Sequence, residues 1–519
     1  MGGLCYSLYV LVIRTQRVQM KKIAAITFAL LLACGAMLWL LQHPSQPALF
    51  ADVPTDAAKS SLADRNLANR VRFVRLNEDA VGSLSQANSE VQLNFFKGDA
   101  PTALIERTEE NINQSITSYG TLKGIPHSQV ILVAGGGTLA GSVMMPDGRM
   151  YLISHASDGI HKILEIANEK LPDCDAGRGE IARRSKDGKA VMAFQSTSGR
   201  TPRTYINPAT TERVNLRYPT TYVRTASRPT AATPPTAPVT TQPTTPQTTA
   251  TPVTPTKAVT APTKATPSKG SATIDLLVVY TAQAAADHGG KSGAENMITT
   301  AAAQANTALK NSKINAQIRV VHMAQVAYTE GTGVAEDLDA VTNGSTPNLK
   351  QVHQLRLQHK ADLVTLFTAA HGGSAVGVGW VMPGTPIPDN GYNVVELHAA
   401  PMLTFIHEVG HNLGCDHTKD GGGTGAFPYS HGHRFKDAKA GTEYRSVMAY
   451  APGVRVPYFS NPSVSYFGAA TGITDDADNA RTINQTASIT AAYSDTLAKQ
   501  GSTSTKGKDR ADRPTSNGK

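Results

Sequence analysis

Cysteine is scarce in this chain of 519 residues, with only Cys5, Cys34, Cys174 and Cys415. Cys5 and Cys34 fall in an N-terminal targeting region, so each later segment holds one thiol and neither can close an internal disulfide. A disulfide-stapled scaffold is excluded. Tryptophan occurs twice and aromatics make up 6% of the residues. No basic stripe with interleaved aromatics exists, so nucleic acid is not an expected partner. The net charge of +9 is scattered, with part of it in the tail from Lys499 to Lys519, and serves solubility. At 40% apolar and 17% charged, the composition excludes global disorder.

Long hydrophobic runs are also few. The clearest is Ile23 to Leu41, preceded by Met20-Lys21-Lys22. A basic start followed by an apolar stretch reads as an export signal, and the run is long enough to anchor in a bilayer. Residues 1–51 are therefore expected to be a signal peptide or membrane anchor, directing the chain to a secreted, cell-surface or periplasmic location. Leu31-Leu32-Ala33-Cys34 has the form of a lipidation site, but Met37 to Leu41 is still apolar where a polar tether would follow. Export by a cleaved or anchoring signal is favoured over a lipid on Cys34.

Residues 58–207 alternate strand-like stretches with turns, such as Val71 to Leu76, Val91 to Phe96 and Val130 to Val133. Gly141 to Met145 and Met150 to Ser154 flank Pro146-Asp147-Gly148, which predicts a hairpin. Gly135-Gly136-Gly137 reads as a turn rather than a phosphate cradle, since no Lys-Ser/Thr follows it. A β-rich domain is expected. Residues 220–270 are dominated by Thr, Pro and Ala without apolar period and are expected to be a disordered linker.

A second domain is expected over 271–495. Ile274 to Thr281 reads as a buried strand, Ala294 to Asn311 as a helix and Ile314 to Val321 as a strand. Leu349 to His359 reads as a helix, Asp362 to Phe367 as a strand, and Asp475 to Tyr493 as a last helix. That alternation is an α/β pattern. Residues 496–519 form a polar tail without core-forming content.

The segment His407-Glu408-Val409-Gly410-His411-Asn412-Leu413-Gly414-Cys415-Asp416-His417 carries the chemistry. On a helix, His407 and His411 share one face and point at one metal. Gly414 can end that helix in a left-handed conformation and let His417 return to the same ion. Three neutral imidazoles leave one position open, which is the catalytic arrangement for zinc. Glu408 then stands where a general base is needed. Cys415 reads as a small packing residue. His431 and His433 lack a carboxylate spaced to complete a second metal site, and no partners are evident for His322, His371 or His398. Calcium is open to acidic residues such as Asp475, Asp476 and Asp478, although no EF-hand spacing is present.

This motif, with Ser446-Val447-Met448-Ala449-Tyr450 placed as a Met-turn, resembles the metzincin zinc peptidases. Leu277 to Thr281, Arg455 to Pro462 and Asp478 to Thr486 make the chain most similar to bacterial reprolysin-like, adamalysin-related peptidases. Thr418 departs from that group, which usually carries Asp after the third histidine. The resemblance implies a zincin/metzincin catalytic domain with a twisted mixed sheet and an active-site helix, preceded by a propeptide-like domain. It implies zinc on His407, His411 and His417, an apolar floor at Met448, and Tyr450 as a transition-state donor. It implies that Gly377 to Val381 pair with an extended peptide or protein substrate and that Val456 to Tyr458 wall the pocket after the scissile bond. Cys174 would be an inhibitory zinc ligand of a zymogen and Arg183-Arg184 its nick site. The expected function is a zinc endopeptidase; the alternative is a surface binding or adhesion protein with a non-catalytic zincin domain.

Overall fold

The structure is a computed structural model. It describes residues 48–166 apart from 55–63 and 65–66, and residues 271–499 apart from 374, 383, 385 and 422–424. Between these lie two short hairpins, Ile181–Arg184 with Ala190–Ala193 and Arg203–Ile206 with Arg213–Leu216. Residues 23–41, Cys34, Cys174 and 220–270 lie outside the described residues. Among the described residues, no helix is long and apolar enough to cross a membrane.

The N-terminal part is a nine-stranded antiparallel sheet: β1 (Phe50–Asp52), β2 (Ala68–Leu76), β3 (Glu90–Gln92), β4 (Thr102–Glu110), β5 (Ile116–Leu122), β6 (Ile125–Gly135), β7 (Thr138–Met144), β8 (Met150–Ser157) and β9 (Ile160–Ile166). Its order is β1-β2-β9-β8-β7-β6-β5-β4-β3. The glycine run makes the β6–β7 turn, with positive φ at Gly136 and Gly137 as a tight hairpin needs. The expected β7–β8 hairpin is present, with Gly148 at φ 93°.

The second part is an α/β sheet. Strands β10 (Ala272–Thr281), β11 (Ala316–Val326), β12 (Leu363–Thr368) and β14 (Tyr392–Glu396) are parallel, and the edge strand β13 (Gly377–Gly379) is antiparallel to β14. The order is β11-β10-β12-β14-β13. Strand β10 feeds both faces by alternation. Ile274, Leu276, Val278 and Tyr280 pack with helix α2 (Lys291–Asn311) and helix α5 (Thr404–Asn412). Leu277 and Val279 pack with helices α3 (Val334–Asn343) and α4 (Pro347–Gln358). Helix α6 (Asn479–Thr490) is capped by Asp478, whose Oδ1 accepts from Arg481 N. It is shorter at both ends than the sequence suggests.

The two parts share one apolar cluster. Ala140, Met144, Leu152, Leu164 and Ile166 of the N-terminal sheet pack with Met297, Ala301, Ala305 and Ala308 of α2. The other face of that sheet packs on α1 (Glu78–Leu84). Helix α2 is thus sandwiched between two sheets, and its polar side chains on the N-terminal side are bonded across the contact. Asn296 Nδ2 donates to Thr138 Oγ1 at 2.8 Å and Gly135 O at 2.9 Å, and Gln304 Nε2 donates to Ser142 Oγ at 3.2 Å.

Candidate active site

Helix α5 is short, and each end is tied to something else. Before it, Leu403 sits at φ 68° and its N–H donates to Gln304 Oε1 at 3.0 Å, while Ser142 Oγ donates to Pro401 O at 3.2 Å. At its end, Asn412 Nδ2 donates to Trp380 O and Tyr392 O at 2.9 and 3.0 Å, fixing α5 against β13 and β14. The chain leaves by a Schellman turn. Gly414 N donates to His411 O and Cys415 N to Gly410 O, both at 2.9 Å, with Gly414 at φ 86°. The turn that the sequence assigns to Gly414 is therefore what carries the chain back to His417.

The three histidines converge. His417 Nε2 lies 3.1 Å from His407 Nε2 and 3.0 Å from His411 Nε2. The trio forms the potential metal-holding group among the described residues, and all three are buried. Bonds of about 2.05 Å at tetrahedral angles place three nitrogens about 3.3 Å apart, so the donor set fits zinc. Each Nδ1 is turned outward. His407 Nδ1 donates to Val447 O at 2.9 Å and His411 Nδ1 to Cys415 O at 3.0 Å, while His417 Nδ1 lies 3.4 Å from Asp416 Oδ1. Such bonds fix the tautomer with the Nε2 lone pair facing the ion. Burial lowers the pKa of all three, well below the usual value for His407 and His417, where Arg455 adds to the effect. They are held in the neutral form that binds metal.

Glu408 is buried on the same helix, against β13. A Cβ on Gly377 would stand 2.7 Å from Glu408 Oε1, and one on Gly379 would stand 2.7 Å from Glu408 O. The two glycines let the edge strand lie on the helix at this residue. Beneath, Met448 packs on Gly410, where a Cβ would meet Sδ at 2.6 Å. The Tyr450 hydroxyl reaches His417 Nε2 at 2.5 Å.

The remaining residues singled out from sequence fall elsewhere. Cys415 is buried, its Sγ is directed at Asn479 O, and burial pushes its pKa well up. His431 Nδ1 bonds His417 O at 3.0 Å and steadies that residue without joining the cluster. His433 lies beside Phe435. Asp475 accepts from Arg481, Asp476 pairs with Lys419, and Asp478 caps α6. His322 stacks on His359. His371 lies in a buried acidic nest that the sequence does not reveal. Its Nε2 is 2.9 Å from Asp337 Oδ2 and its Nδ1 is 3.0 Å from Glu396 Oε1. These partners lie 34 and 25 positions away in the chain, on different elements.

Residues 270–460 match the model of metallo-peptidase family M12, reprolysin type. A peptidyl-Asp metalloendopeptidase of Stenotrophomonas maltophilia is 30% identical over 229 residues, 43% of this chain and 53% of that one. One from Xanthomonas campestris is 30% identical over 44% of this chain and 54% of its own. One from Pseudomonas aeruginosa is 27% identical over 46% of this chain and 42% of its own. The chain spans about half the length of the curated relatives it matches. A metalloproteinase-II structure from Bacteroides fragilis aligns with 66% of this chain and 85% of its own, at 13% identity and a TM-score of 0.33, too low to bear on the fold. With the sequence matches, residues 270–460 are identified as a reprolysin-like metallopeptidase domain.

Proposed function

We propose that this chain is a zinc endopeptidase that cleaves extended peptides beside acidic residues. The observation that carries the reading is the convergence of three buried imidazoles with Glu408 against an edge strand. His407, His411 and His417 would hold zinc, which when bound would supply Lewis acidity to the site. Glu408 takes the proton from the attacking water and passes it to the leaving amine. The Tyr450 phenol donates to the oxygen that gains charge in the transition state. Strand β13 pairs with the substrate backbone, which orients a peptide without demanding one sequence. The acidic preference follows the relatives, which are named for Asp.

Beyond the site, the same reading makes residues 1–51 an export signal and the N-terminal sheet the propeptide-like part of a zymogen. Cys174 is then its candidate zinc ligand, testable by Cys174→Ala. An intact Glu408 set against β13 favours turnover over the binding-only alternative.

The test is cleavage of an unstructured protein by the full chain and by Glu408→Gln, with zinc measured in both. Zinc in both and cleavage only in the first is expected. Zinc-loaded wild type that cuts nothing in a broad peptide library overturns the proposal.

A further inference from the structure

We propose that the segment His431–Arg434 sets the distance between His417 and Tyr450, with Arg434 as the residue that positions the tyrosine. The inference rests on the endopeptidase reading above and deepens it.

The segment runs between the loop that carries His417 and the turn at Met448, and it is bonded to both. On the first side, Gly432 N lies 3.1 Å from Asp416 O and 3.2 Å from His417 O, and His431 Nδ1 donates to His417 O at 3.0 Å. On the second, His433 N donates to Ser446 Oγ and Ser446 N to His433 O, both at 2.9 Å. Gly432 makes this spacing possible. A Cβ there would stand 2.6 Å from Ala449 N and 2.7 Å from Met448 C.

Between Val447 and Gly453, backbone carbonyls accept from three arginines. Arg455 Nη2 bonds Val447 O at 2.9 Å. Arg445 Nη1 bonds Ala449 O at 3.0 Å and its Nε bonds Gly453 O at 3.1 Å. Both side chains come from the short strands that flank this turn, Glu443–Arg445 and Val454–Arg455. Arg434 differs in origin, because it extends from the segment tied to His417. Its Nη1 donates to Ala451 O at 3.2 Å and to Tyr450 O at 3.3 Å. Its Nη2 pairs with Asp420. Thr418, the residue after His417, and Arg434 together hold the Asp420 carboxyl below the usual carboxylate range. One guanidinium therefore joins the backbone of the tyrosine to the chain on both sides of the third histidine.

The Tyr450 hydroxyl reaches His417 Nε2 at 2.5 Å, with the ring centroids 4.0 Å apart. A tyrosine side chain has few rotatable bonds, so a shift of its backbone carries to the hydroxyl. The ion pair itself adds little stability, since Asp420 is 65% exposed. The charge-assisted bonds to the two carbonyls are the stronger contacts. Ala451 is exposed and Tyr450 half-buried, so water can take the place of the guanidinium and the fold should survive its removal. What changes is where the phenol stands.

The experiment uses the zinc-loaded full chain and an unstructured peptide substrate. Arg434→Gln should lower kcat about 5- to 10-fold, with KM within about 2-fold and zinc content unchanged. In the Tyr450→Phe background the same substitution should cost less than about 2-fold, because the hydroxyl that it places is gone. Arg434→Lys should recover part of the rate, since an ammonium reaches one carbonyl and loses the fork. An equal factor in both backgrounds, or zinc lost from Arg434→Gln, overturns the inference in favour of a general structural role. Crystal structures of zinc-loaded Glu408→Gln, with and without Arg434→Gln, read the tyrosine without turnover. Its hydroxyl should move by about 1 Å or more relative to His417. A tyrosine that stays in place overturns the inference whatever the kinetics. Wild type that cuts nothing, with the tyrosine displaced in the double variant, overturns the endopeptidase reading and leaves the role of Arg434 standing.

Discussion

Gly377 lies so close to Glu408 that a single Cβ on the strand would stand 2.7 Å from the carboxylate Oε1 and 3.0 Å from Cγ. The position of Glu408, the proposed general base, is thus set by the absence of a side chain on the neighbouring edge strand. Gly377→Ala must move either β13 or Glu408. We expect kcat/KM to fall by at least about 10-fold, as displacements near 1 Å do, with zinc content unchanged. A variant with wild-type turnover would show that the contact does not place the base.

Tyr450 touches His417 Nε2 through its hydroxyl, so removing that oxygen alone tests it. Tyr450→Phe should lower kcat by about 10- to 100-fold with a smaller change in KM, the pattern of a donor used in the transition state. An effect confined to KM would reassign the tyrosine to substrate binding.

His371 is clamped by Asp337 and Glu396, and these hydrogen bonds raise its pKa to about 10 against burial. The folded state therefore favours the charged imidazole. The stability it adds is fully present below about pH 6.5, the unfolded value, and is lost as pH rises through about 10. Urea unfolding of wild type should weaken across that window, and His371→Gln should show a flatter profile. The variant should also lose about 3–5 kcal/mol at neutral pH, the usual effect of breaking a buried pair.

Gln304 links the two halves of the molecule. It accepts from Leu403 N, just before the zinc helix, and donates to Ser142 Oγ of the N-terminal sheet. Gln304→Ala strands a buried N–H, which costs about 1–3 kcal/mol. Denaturant midpoints check this, and an unchanged midpoint would mean that the bond is replaced without loss.

Much of the architecture is legible in the residues. The apolar runs of β10 and β12 and the alanine-rich α2 announce themselves, because a strand buried on both faces and a helix without breakers carry local patterns. Helix α3 escapes notice although Val334, Leu338 and Val341 have the right spacing, since a glycine-flanked stretch of ten residues reads as loop. Strand β14 is missed because five residues between turns carry little period.

The sequence by itself determined which three imidazoles meet. His407, His411, Gly414 and His417 are near in the chain, so helix pitch and one left-handed residue bring the three nitrogens together. Only the tertiary structure decided what surrounds them. Gly377 beside Glu408, Val447 behind His407, Arg455 on that same carbonyl and Gln304 under the start of the zinc helix are contacts between distant segments. No local period encodes them, because they arise when separate strands and helices close on one core.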